Sequence, residues 1–146
     1  MSLKGRSLPR WPPNANVAEK RAPLRITLAP AARHDLRELL RWSYENFGER
    51  AAGRYRVLLQ QALRDLEADP ERDGSMERPG MMIEGARLYH LQFSRTRVSG
   101  VGVKEPRHFV LYRRRGEGMI EVGRILHDSC DVERHLPGRF RVGSEV

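Results

Sequence analysis

Five histidines and a surplus of arginine are the residues of this chain best equipped for chemistry. His34, His90, His108, His127 and His135 accompany 27 Lys/Arg and 19 Asp/Glu in 146 residues, a formal net charge of +8. Cleaving a phosphodiester with side chains alone takes a proton acceptor, a proton donor and cations around the phosphate. Arg87, His90, His108, Arg113, Arg124 and His127 supply those types, although spacing leaves open whether they meet. His127 stands out because it closes an alternating run, MIEVGRILH, just after Arg124 and immediately before Asp128. A lone histidine at a strand end reads as a structural or target-binding group before it reads as a catalytic one.

Other chemistries lack their signatures. No phosphate-binding glycine loop, GxSxG elbow or metal-spaced His/Cys cluster occurs, so no catalytic residue, metal ligand or cofactor is assigned. The single cysteine, Cys130, excludes an intramolecular disulfide and a multi-cysteine zinc site. No run approaches the ~20 apolar residues that span a bilayer. The basic start also lacks the apolar core of a secretory signal. A cytoplasmic protein without a membrane partner is the expectation.

The element that must position His127 is the stretch His108–Asp128, HFVLYRRRGEGMIEVGRILHD. HFVLY alternates like a half-buried strand, and Gly116-Glu117-Gly118 can reverse the chain. The second alternation then places Ile120, Val122, Arg124 and Leu126 on one face and Met119, Glu121, Gly123, Ile125 and His127 on the other. A hairpin is marginal alone, so the remaining chain must cover it. Leu24–Leu28 predicts a first strand, and Pro30 suits the first turn of a helix that runs to Phe47. Gly48 breaks that helix, and a second amphipathic helix spans Glu49 to Asp69, where Pro70 stops it. Residues 71–84 read as a polar loop, and Gly85–Phe93 as a strand. Residues 95–106 read as a long connection containing VSGVGV, and Cys130–Leu136 as a short helical turn.

The order strand, helix, helix, strand, strand, strand gives an α+β domain. An antiparallel sheet carries an α-helical hairpin packed on one face. The opposite face is expected to stay partly open, with the strand arginines facing out. The folded body spans 24–137, after a basic, disordered arm over 1–23 and before a flexible tail over 138–146. Charge follows this division. Residues 85–127 carry nine basic and three acidic side chains, whereas 26–84 carry nine basic and eleven acidic. A basic strand region fits an acidic partner.

The successive segments ITLAPAARHDLRELLRWSYENFG, ALRDLEADP, HFVLYRR and IEVGRILHDSCDVERHL resemble the RelE/ParE superfamily of toxins from bacterial type II toxin–antitoxin systems. The RILHD ending is similar to the ParE branch. That resemblance implies a non-catalytic inhibitor of DNA gyrase, neutralised by a cognate ParD-like antitoxin with an acidic C-terminal segment. The alternative is a RelE-like ribosome-dependent mRNA endoribonuclease. Several residues depart from that branch: no lysine in GARLYHLQF, no tyrosine after RILHD, and Phe109 at a usually basic strand position. Arg87, Arg113, Arg124 and His127 are the implied target-binding candidates. Trp42, Tyr44 and Tyr55, on the flank of the helical hairpin, are the antitoxin-binding candidates, and Tyr55 also fits the core stripe.

Overall fold

The computed structural model describes residues 24–143, and the expected N-terminal arm lies outside them. Strand β1 (Arg25–Leu28) leads into α1 (Pro30–Phe47) and α2 (Glu49–Ala68). The break between the helices is Gly48 at φ +93°, a conformation that glycine adopts without a Cβ clash. Next come β2 (Ser75–Met76), β3 (Ala86–His90) and a 3-10 turn over Leu91–Arg97. The hairpin strands β4 (His108–Arg115) and β5 (Met119–His127) follow. A short α3 (Val132–His135) and a 3-10 turn over Gly138–Phe140 complete the body. The sheet order is β1-β5-β4-β3-β2. β1 joins parallel to β5, and the other pairs are antiparallel.

The helical hairpin covers one sheet face, as expected. Leu58, Leu59, Ala62 and Leu66 of α2 pack with Tyr89, Val110, Tyr112, Ile120, Val122 and Ile125. α1 contributes less: Ala32 and Ser43 are its buried residues, and Trp42, Tyr44 and Phe47 stay exposed. Its first turns are held at the sheet edge instead. Ala29 N–H donates to the Val122 carbonyl, and Asp35 accepts from Ile125 N–H and the Arg124 guanidinium.

Four expectations need correcting. The alternation of β5 breaks at Gly123: Leu111 faces Arg124 while Tyr112 faces Val122, a β-bulge. Ile125 therefore shares the helix-covered face with Ile120 and Val122, and Arg124 turns to the other. Position 123 must be glycine there, since a Cβ on it would lie 2.7 Å from the Phe140 ring. The second sheet face is not open, because Met82, Leu136 and Phe140 cover Ala86, Leu88 and Leu111. With Phe140 buried and Arg141 bridged to Met82, packing continues past residue 137, where a tail was expected. Finally, β3 ends at His90, two-residue β2 pairs with it inside the expected loop, and Leu91–Phe93 turn into the 3-10 segment.

Candidate functional site

Three strand ends converge at one edge of the molecule. His90 closes β3, His108 opens β4 and His127 closes β5, with His108 and His127 directly opposite in register. Their rings meet edge to face, with centroids 5.2 Å apart. Tyr55 reaches this corner from α2 and places its hydroxyl 2.6 Å from His108 Nδ1.

The hydrogen bonds fix where each imidazole carries its proton. Tyr55 Oη accepts from Arg107 N–H at 3.0 Å and has no other acceptor for its own proton among the described residues than His108 Nδ1. Burial raises the Tyr55 pKa to about 12 and lowers that of His108 to about 4, which keeps the first protonated and the second neutral. His108 Nδ1 is thus an acceptor, and the ring proton sits on Nε2. His127 Nδ1 accepts from Ser129 N–H at 3.0 Å, and His90 Nδ1 from Gln92 N–H at 3.0 Å. With Nδ1 accepting in each ring, the donor that His90, His108 and His127 present is Nε2–H. His90 donates it to Asp128 Oδ2 at 3.0 Å. Asp128 also takes the Arg107 guanidinium, and the hydrogen bond from Arg107 heads the causes that hold its carboxyl near 2.

His108 and His127 lie in a groove of about 800 Å³ between the tip of the helical hairpin and the 101–107 loop. Trp42, Phe47, Tyr55, Val101 and Val103 give it an apolar lining. Arg54, Lys104 and Arg107 stand around it, with Glu105 as the acidic member. Neither Arg54 nor Lys104 pairs with a carboxylate among the described residues. Trp42 is 58% exposed, Phe47 67% and Val101 73%, an apolar surface that a monomer gains nothing by displaying.

The residues singled out in the sequence divide between this groove and other places. Trp42 and Tyr55 line it, as does His127; Tyr44 is exposed on α1 but outside the lining. The three arginines do not join His127. Arg87 donates to Ser75 Oγ at 2.6 Å and lies 3.7 Å from Glu77. Arg113 pairs with Glu121 at 2.9 Å and lies over the Phe140 ring on the second sheet face. Arg124 grips Asp35 at 2.7 Å and 2.9 Å. Sequence reasoning missed His108, Phe47, Arg54 and the loop valines as groove residues. Of the two valines flanking Gly102, Val103 also packs against the main core, whereas Val101 is 73% exposed. No group of histidine, cysteine and acidic residues suited to a metal ion occurs among the described residues, and none of their helices is long and apolar enough to cross a membrane.

The family model described as the ParE toxin of the type II toxin–antitoxin system parDE matches residues 26–132. Toxin ParE1 of Mycobacterium tuberculosis, from strains CDC 1551 / Oshkosh and H37Rv, is 31% identical over 112 residues, 77% of this chain and 97% of the relative. A chain of the chromosomal ParDE TA system from P. aeruginosa superposes with a TM-score of 0.51 at 12% identity, over 72% of this chain and 96% of that one, a likeness of fold. The matched span contains both helices, all the strands and the histidine corner, and on it the chain belongs to the ParE toxin family of type II toxin–antitoxin systems.

Proposed function

We propose that this toxin acts in the cytoplasm on DNA gyrase as a non-catalytic inhibitor, and that an antitoxin neutralises it by occupying the groove. The observation that carries the non-catalytic reading is the proton inventory at the strand ends. A general base needs a lone pair facing the substrate. Here the Nδ1 of His90, His108 and His127 is already accepting, and Asp128 is committed to Arg107 and His90. Arg87, Arg113 and Arg124 are held by other partners elsewhere, so these three do not frame a scissile phosphate beside the histidines. These three arginines, with His127, are read as contacts to the target.

The groove fits an amphipathic partner segment. Its apolar lining would be covered by a helix, and Arg54 and Lys104 at its rim suit acidic residues. Trp42, Tyr55 and Phe47 are the anchors of this contact, and Tyr44 extends it along α1.

Inducible expression tests the reading. Gyrase inhibition gives trapped gyrase–DNA cleavage complexes with intact transcripts, and His127→Ala reduces toxicity. Rapid mRNA cleavage with undamaged DNA overturns it in favour of the endoribonuclease.

A further inference from the structure

The groove has an apolar lining yet ends in two hydrogen-bond donors that nothing answers. His108 and His127 each spend Nδ1 on an internal donor, which leaves Nε2–H as their outward group. Neither Nε2 has a partner among the described residues. Arg72 Nε is the buried side-chain nitrogen that lacks one, so the His108 Nε2–H, also without one, is open to solvent. Both rings belong to the groove lining, which also carries Arg54 and Lys104, Arg107 already paired to Asp128, and the acid Glu105. Tyr55 and Ser129 hold the rings so that donors, not lone pairs, are presented.

From this we infer that the groove floor is a carboxylate receptor: His108 and His127 take an aspartate or glutamate side chain carried in the middle of the apolar face of the partner's helix. An apolar residue above the pair would strand two donors, and a neutral amide would answer them less strongly than a charged acceptor. A carboxylate entering an apolar groove in turn needs charge-assisted partners to offset its desolvation, and the corner supplies both donors and nearby cations. The expected antitoxin segment therefore breaks its apolar stripe with one acid, beyond the acidic residues that meet Arg54 and Lys104 at the rim. This inference rests on the groove being the antitoxin's seat.

The full chain, labelled with nitrogen-15 at histidine, is titrated with 3-phenylpropionate and with its neutral isostere 3-phenylpropanamide at pH 7.5. The expected result is a shift of the His108 and His127 Nε2 resonances by the acid, with about tenfold tighter binding than the amide. His127→Gln, which keeps a donor at the ε position, retains the preference, and His127→Leu loses it. Equal binding of acid and amide overturns the receptor, as does a preference that survives in His127→Leu. Failure of the antitoxin reading is separately visible. If the antitoxin encoded beside the toxin neutralises Trp42→Asp as well as the parent chain, the groove is not its seat, whatever the small acid does.

Discussion

α2 anchors two polar clusters, one around Asp65 and one around Tyr55, ten residues or about 15 Å apart along the same helix. They use the same residue types and end in opposite conditions. Asp65 is 2% exposed and accepts from Ser94 Oγ at 2.6 Å, Gln61 Nε2 at 2.8 Å and Arg97 Nε at 2.8 Å, with Arg72 3.5 Å away. Ser94 is tied in turn to Tyr89 Oη. Burial would raise the Asp65 pKa, but the hydrogen bonds from Ser94, Gln61 and Arg97 outweigh it and the net shift is downward. Every oxygen there is answered. At the Tyr55 end the internal bonds are satisfied on one side of each ring only. The lesson is that donors left over at a groove mark function, whereas a buried carboxylate whose oxygens are all answered marks stability, even though Arg72 Nε of the same cluster has no partner.

The comparison breaks most visibly at Asp65. Asp65→Ala leaves Ser94, Arg72 and Arg97 without their acceptor at a buried site, and about 3 kcal/mol of stability is lost. Urea melts measure that loss. Binding of 3-phenylpropionate by the folded fraction stays unchanged, since the two clusters share a helix but no side chain. A loss of acid binding without a loss of stability would reverse the roles assigned to the two ends.

A smaller effect separates the clusters by pH. His108 faces Tyr55, His127, Asp128, His90 and Asp35, and burial first, then the neighbouring His127, depresses its pKa from 6.5 to about 4. The unfolded chain therefore binds a proton below pH 6.5 that the folded chain refuses until about pH 4. Stability falls as the pH drops through this window, by about 2 kcal/mol at pH 5 relative to pH 7.5. Asp128 works in the same direction but lower down. Its contribution is present above its ordinary pKa and disappears as the pH falls toward about 2. His108→Asn keeps an acceptor for Tyr55 Oη and removes the titration. Melts at the two pH values should then differ by about 2 kcal/mol less than in the parent chain.

Much of the fold that makes these clusters was legible. Pro30, Gly48 and Pro70 bracket the two helices because a missing N–H or a positive φ acts locally. The hairpin around Gly116 is likewise local. What escaped depends on residues far apart in the chain. The bulge lies at Gly123, where Phe140 packs closely, and neither residue alone announces the contact. Leu136 and Phe140 cover the second face from a segment too short for any periodicity to show. His127 was visible as a strand end, but its meeting with His108 needed the register, and the role of Tyr55 needed the packing of α2. Arg87, Arg113 and Arg124 show the converse: three arginines with the right chemistry each found a different internal acceptor.

Trp42 gives the smallest effect on stability and the sharpest one on recognition. It is 58% exposed and meets Phe47 edge to face at 5.4 Å, itself an exposed ring. Truncation to alanine removes little buried area, so urea melts should shift by less than about 1 kcal/mol. An exposed aromatic at a groove mouth is, however, the kind of anchor on which interfaces concentrate their affinity, and its loss there costs about 2 kcal/mol or more. Trp42→Ala should therefore stay folded and toxic while its antitoxin binds roughly thirtyfold or more weakly, a change read by calorimetry on the purified pair. Asp65→Ala is the mirror image, unstable yet still recognised by whatever fraction remains folded. If Trp42→Ala instead lost stability and kept its affinity, α1 would owe its place to that ring, and the groove would be part of the fold's own packing.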